Sequence, residues 1–152
     1  GNHGRTEAGD VQVMSAGSGV QHAEWNEEDE ATTLFQLWIQ PREAGGAPSW
    51  GARKFPKDDR SGSWAVFASG TGENDSLMIK QDAKVLGATL KAGETLTYDM
   101  AAGRHGYLVL AAGSVRLNGE MLNARDGAAF TEGDSILLEG IDNAEIVFVD
   151  TV

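Results

Sequence analysis

The chain has 152 residues, a formal net charge of −11 and no cysteine. No run of Lys or Arg interrupts the negative charge, which argues against nucleic acid and against an anionic membrane as partners. The lack of cysteine excludes disulfides, thiolate metal sites and cysteine nucleophiles. No apolar run approaches the ~20 residues that a membrane span needs and no signal peptide is visible, so we expect a cytoplasmic protein.

Short runs rich in β-branched and aromatic residues follow one another along the chain, separated by turn signals. Asn118-Gly119 is the sharpest turn, because this pair tolerates the positive φ angles of a two-residue hairpin. No stretch of a dozen residues shows a helical period, so the predicted fold class is all-β, a sandwich or a barrel. The predicted strands are Val11–Met14, Leu34–Ile39, Trp64–Ala68, Leu77–Lys80, Val85–Leu90, Leu96–Tyr98, Tyr107–Leu110, Val115–Leu117, Ile136–Leu138 and Ile146–Val149.

All three prolines of the chain lie in residues 41–62, together with several glycines and a polar cluster. This composition predicts a linker with room for one short strand or helical turn. We therefore expect an N-terminal β segment over residues 1–40 and a C-terminal β unit over residues 63–152. Forty residues are too few for an independent barrel, so the first segment must pack on something else.

His22 and Glu24 form the pair with the clearest chemistry. They are two residues apart, so on a strand both side chains would leave the same face. An imidazole and a carboxylate together make half of a site for Fe, Mn, Ni, Cu or Zn. Taken alone the pattern is weak, because an exposed or hydrogen-bonded histidine is the commoner outcome.

The surrounding residues resemble the second conserved motif of the cupins. Gly9, Gly17, His22 and Asn26 take its fixed positions, Ser15 stands where proline is usual, and two extra residues precede the histidine. The longer string Gly-Asp-Val-Gln-x-Met-x-Ala-Gly-x-Gly-x-x-His-x-Glu resembles the pirin family, including its quercetinase-like bacterial members. The resemblance continues through Gln36–Ile39, Trp64–Ser69, Ile79–Ala83, Ala92–Glu94, Gly103-Arg104, Tyr107-Leu108, Asn118-Gly119 and Leu122–Ala129.

The resemblance implies a bicupin, two jelly-roll (double-stranded β-helix) barrels with one metal in the N-terminal barrel. Three histidines and one glutamate hold that metal in the family, and the ligands carried over to this chain are His22 and Glu24. Glu24 is also the implied catalytic base. The cofactor implied for an intact member is a divalent transition metal (Fe, Mn, Ni, Cu or Zn). The first motif, which carries the other two histidines, is not in this sequence, and His3 is a candidate substitute for one of them.

The resulting hypothesis is a fragment of a metal-dependent dioxygenase of the quercetin 2,3-dioxygenase type, with a polyphenol substrate, that is inactive as this chain. It comprises a metal-free C-terminal cupin barrel and a partial N-terminal one. The alternative from another class is a regulatory, protein-binding module with a metal site and no catalysis. Because half a barrel exposes strand edges and an apolar face, we expect a homodimer. We also expect the tryptophans to be core or interface anchors, with Trp25 a candidate pocket wall, and His105 to be a turn or packing residue.

Overall fold

The computed structural model describes residues 3–152, which fold almost entirely into β-strands. Two three-residue 3-10 helices, Asp58–Arg60 and Glu73–Asp75, interrupt them. No helix within residues 3–152 is long and apolar enough to cross a bilayer. The strands are β1 (Val11–Ser15), β2 (Ser49–Arg53), β3 (Ala65–Ser69), β4 (Leu77–Met78), β5 (Ala83–Leu90), β6 (Thr95–Asp99), β7 (His105–Ala112), β8 (Ser114–Leu117), β9 (Glu120–Asn123), β10 (Gly127–Phe130), β11 (Ser135–Gly140) and β12 (Ala144–Thr151).

Three sheets organise these strands. A six-stranded sheet has the order β10-β7-β12-β5-β3-β4, a four-stranded sheet has the order β6-β11-β8-β9, and β1 pairs with β2. All pairings are antiparallel except that of β3 with β4. The six- and four-stranded sheets share no ladder in the described residues, so they form an open jelly-roll sandwich and not a closed barrel.

Strand β12 is buried on both of its faces. Ile146 and Phe148 point into the core between the two larger sheets, while Val147 and Val149 alternate with them and point outward. The outer face of the six-stranded sheet is therefore apolar and must be covered. The side chains that cover it come from the first 55 residues and include Val11, Val13, Ile39 and Phe55.

Phe67 and Gly87 show how closely this outer layer is packed. The register between β3 and β5 shifts between Val66 and Ala68, so Phe67 is the extra residue of a bulge. Its ring lies against the backbone of Gly87, where a Cβ atom would collide with it. Phe55 packs on the same ring with centroids 4.8 Å apart. Glycine is thus required at position 87 because the Phe67 ring lies close to the backbone there, and not because of the backbone angles.

Most predicted strands are confirmed, and Asn118 and Gly119 have φ angles of 47° and 93°, as the predicted hairpin requires. The strand predicted over Leu34–Ile39 is wrong: residues 31–40 have no regular structure, and the apolar side chains of Leu34, Phe35 and Trp38 are exposed. Two strands, β9 and β10, were not predicted, and both lack a run of β-branched residues. The expected linker, which had room for one short strand or helical turn, contains both β2 and the helix Asp58–Arg60.

Candidate functional site

Gln12 connects the β1–β2 ribbon to the predicted metal ligands. Because side chains alternate along β1, Val11 and Val13 pack on the sheet and Gln12 lies on the opposite side. The Gln12 Nε2 donates a hydrogen bond to Oε1 of Glu24, and the Trp50 Nε1 donates to Oε1 of Gln12 over 3.3 Å. The Gln12 amide is therefore bonded at both its nitrogen and its oxygen, and it orients the carboxylate of Glu24. The second oxygen of that carboxylate, Oε2, is left for another partner.

A tight reversal after β1 returns the chain to this position. Gly19 donates its backbone N–H to the carbonyl of Ala16, and Ser18 donates to the carbonyl of Gly46 over 2.9 Å. Gly17 has φ +55°, and a Cβ there would lie 2.8 Å from backbone atoms of Ala47 and Pro48. The motif glycine at position 17 is therefore needed both for its left-handed backbone and for the close approach of the second loop.

The strand on which the same-face argument for His22 and Glu24 depended is not formed. Residues 20–27 have no regular structure, and both side chains are exposed. The nearby motif residue Asn26 has a local role: its Nδ2 donates to the carbonyl of Glu30, and its Oδ1 accepts from the N–H of Glu28. Asn26 thus organises the acidic loop 26–30, and the contact that fixes Glu24 is the one with Gln12.

His22 and Glu24 suit a divalent transition metal in donor type but supply only two donors. An imidazole nitrogen and a carboxylate oxygen are ligands of Fe, Mn, Ni, Cu and Zn, and the Glu24 Oε2 accepts no hydrogen bond from residues 3–152. Within that range no three His, Cys, Asp or Glu side chains are grouped closely enough to hold a metal ion. His3 therefore does not complete a three-ligand cluster with the pair, and we call His22 and Glu24 the half-site.

A polar network that no sequence pattern indicated joins the two larger sheets. Asp150 on β12 is buried and accepts from the Arg104 Nε over 2.6 Å and from the Tyr98 hydroxyl on β6. Arg104 also donates to Asp82 over 2.7 Å. Burial, reinforced by the hydrogen bond to Asp150, raises the pKa of Tyr98 well above its ordinary value. The hydrogen bond from Arg104 lowers the pKa of Asp82.

This network is a structural element because its central carboxylate is buried and each of its oxygens accepts a hydrogen bond from a protein donor. His105, next to Arg104, is exposed as the first residue of β7 and pairs in register with Thr151. Only long-range folding brings Asp82, Tyr98, Arg104 and Asp150 together, so no local pattern could have indicated them.

Aromatic rings fill the interior between the two larger sheets. The Phe148 ring has the rings of Tyr98, Trp64 and Phe130 around it, with centroids 4.9, 5.7 and 6.1 Å away. The Trp64 Nε1 donates to the carbonyl of Thr97 over 2.9 Å, and its half-buried ring packs against this interior. Trp25, expected as a pocket wall, is instead 80% exposed. Aromatic and aliphatic side chains thus fill this interior, and the exposed half-site lies outside it.

The fold and the C-terminal sequence both define a cupin-class protein. The chain matches the quercetinase C-terminal cupin domain over residues 66–151 and the pirin model over residues 1–39. Its fold matches the crystal structure of the bacterial pirin YhhW from Escherichia coli in complex with nickel(II), with a TM-score of 0.68 and 24% identity over 75% of this chain and 48% of that one. The chain accordingly belongs to the pirin family of quercetinase-like cupins.

Similar proteins include both a pirin-like protein and a quercetin 2,3-dioxygenase. A pirin-like protein of Caulobacter vibrioides is 58% identical over 99% of this chain. The quercetin 2,3-dioxygenase of Escherichia coli K12 is 31% identical over the same share. The chain spans 65% of the length of the first and 64% of the length of the second.

Replacing Arg104 with Met tests the structural role of the network. The Asp150 side chain is 5% exposed, so R104M would leave a buried carboxylate with Tyr98 as its remaining partner. We expect a loss of about 3 kcal/mol in the free energy of unfolding, measured by urea denaturation. The matched control is R116M, which breaks an exposed pair with Glu139 and should cost at most about 1 kcal/mol. Equal effects of the two substitutions would contradict the assignment.

Proposed function

We propose that the chain contributes His22 and Glu24 to the metal site of a dioxygenase of the quercetinase type. The observation that carries this proposal is the hydrogen bond from Gln12 to Oε1 of Glu24, because an exposed carboxylate is held in one orientation with its other oxygen available. His22, two residues away, supplies the nitrogen donor. The name of the Escherichia coli relative supports the reaction class, and the nickel in the YhhW structure supports a divalent metal in the family.

The residues of this chain would divide the work between binding and proton transfer. The half-site would hold a divalent transition metal, which when bound supplies Lewis-acid and redox chemistry toward dioxygen. Glu24 would accept the proton of a phenol hydroxyl, since a carboxylate within hydrogen-bond reach of an acidic hydroxyl is a suitable general base. Gln12 is a positioning residue that acts through Glu24. The substrate class would be a polyphenol such as quercetin.

Two donors are too few for this chemistry in a single chain. A catalytic metal is usually held by three or four protein ligands that leave controlled open positions. The two-donor half-site, by itself, would leave most positions to water. We therefore expect the chain alone to be inactive toward quercetin and to need further donors from a second polypeptide.

A second candidate function is protein binding with a metal site but no turnover. The observation that favours it is the exposure of large apolar side chains in the N-terminal third: Trp25 is 80%, Leu34 64% and Trp38 90% exposed. Exposed apolar groups of this size commonly mark an interface. The two functions can be distinguished once a second polypeptide supplies the missing metal ligands. A dioxygenase would then turn over quercetin, and a protein-binding module would not.

The same exposed side chains support a homodimer. We propose that a second copy covers the segment around Leu34, Phe35 and Trp38, which removes apolar surface from water. Sedimentation equilibrium should show a dimer whose dissociation constant rises in the double variant L34S/W38S. The exposed Leu137 on β11 gives the control L137S, which should leave association unchanged. A monodisperse wild-type monomer at tens of micromolar would refute this assembly.

Metal uptake tests the half-site directly. Equilibrium dialysis against nickel(II), with metal quantified by mass spectrometry, should show binding by the wild-type chain that H22A and E24Q abolish. The Gln12→Leu variant should bind about tenfold more weakly, because the orientation of Glu24 is lost.

The control for metal uptake is H105A, which removes another exposed histidine and should bind like wild type. If H22A and wild type take up equal amounts of metal, the two residues are not ligands and the proposed function fails with them.

A further inference from the structure

Arg60 is a buried cation in a segment fixed to the six-stranded sheet. It ends the helix Asp58–Arg60 and is only 6% exposed. The hydroxyl of Thr89 on β5 donates to the carbonyl of Lys57 over 2.9 Å, and Gly62 donates its N–H to the carbonyl of Thr89 over 2.8 Å. These bonds on either side of Arg60 hold its side chain against the outer face of the sheet.

The guanidinium of Arg60 lies over an aromatic ring but lacks a hydrogen-bond acceptor. Its Cζ is 4.9 Å from the centroid of Phe67. The buried Nε has no hydrogen-bond partner among residues 3–152, and no side-chain hydrogen bond or ion pair of Arg60 is formed within that range. Glu145, the carboxylate whose charge acts on Arg60, is engaged by Lys57. Nε is the buried donor without a partner, and no carboxylate within residues 3–152 pairs with the two terminal nitrogens, which are therefore available to an anion.

A cavity of about 320 Å³ opens beside this guanidinium. Three cationic side chains line it against one carboxylate, that of Asp59, whereas the whole chain carries −11. Two of these cations form exposed ion pairs, Lys54 with Glu7 and Arg53 with Asp75. Arg60 is the buried cation of the cavity. The rest of the lining includes the aromatic rings of Phe55 and Trp64 and the aliphatic side chain of Val66. The principal lining residues are Arg53, Lys54, Phe55, Arg60, Trp64 and Val66.

We propose that this cavity binds a small aromatic carboxylate, with the carboxylate on Arg60 and the ring against Phe55 and Trp64. The planar fork of a guanidinium matches the two oxygens of a carboxylate. The aromatic walls favour a flat apolar body over an inorganic anion. A polyanion would be repelled by the net charge of the chain. None of these residues belongs to the half-site of His22 and Glu24, so the inference is independent of the proposed function.

Isothermal titration of the full chain with sodium benzoate tests the site. We expect saturable one-to-one binding of benzoate by the wild type and an affinity lower by about tenfold or more in R60M. The wild type should bind neutral benzyl alcohol with a similarly reduced affinity. R116M removes an exposed arginine away from the cavity and should bind like wild type. No saturable binding of benzoate below about 10 mM, or equal affinities of R60M and wild type, would overturn the proposal.

Two further measurements keep the test decisive if R60M does not fold. R60K keeps the positive charge but loses the planar guanidinium that can bind two carboxylate oxygens. Its affinity for benzoate should therefore lie between the affinities of the wild type for benzoate and for benzyl alcohol. The indole N–H of Trp64, which donates to Thr97, should shift in the nitrogen–proton spectrum of the wild type as benzoate is added. An unmoved Trp64 signal, or acetate binding as tightly as benzoate, would refute a site for an aromatic carboxylate.

Discussion

The two-sided burial of β12 is the constraint on which the rest of the structure depends. This strand pairs with β5 on one side and β7 on the other, and it carries apolar side chains on both faces. A sheet built around such a strand is stable only when both faces are covered. The four-stranded sheet covers one face, and the N-terminal residues cover the other. The N-terminal third is therefore a layer of the same structure as the C-terminal sheets.

That packing also places the side chain that orients Glu24. Since Val11 and Val13 must face the sheet, the alternation of β1 places Gln12 on the outer side, where it meets Glu24 and Trp50. The same layer brings Phe55 and Arg60 onto Phe67 at the bulge of β3. The proposed metal half-site and the proposed carboxylate site thus follow from one layer, yet they use separate residues. The activity of the intact family member is a proposal for this chain, which spans about two thirds of the length of the relatives compared.

Much of the fold could be predicted from the sequence, because β-branched runs between turn signals mark the strands that pack on the core. The prediction failed where tertiary context decides. Leu34–Ile39 has a strand composition but no neighbouring strand in residues 3–152, and β10 is a strand of small residues that forms because β7 is beside it. The resemblance to the cupin motif indicated His22 and Glu24, whereas the spacing argument assumed a strand that does not form, and Gln12 orients Glu24 instead. The network of Asp150 and the isolation of Arg60 depend on contacts across the fold, which spacing cannot reveal.

We propose that the packing of β1 on the sheet orients Glu24, two residues from His22, as part of a metal half-site. Nuclear magnetic resonance with substoichiometric nickel(II) tests it most directly, since a paramagnetic ion broadens the signals of nearby nuclei. We expect the side-chain amide of Gln12, the indole of Trp50 and the backbone of residues 22–24 to broaden first, and H22A to abolish the effect. Broadening centred on the acidic residues 27–30, with Gln12 and Trp50 unaffected and H22A without effect, would contradict the account.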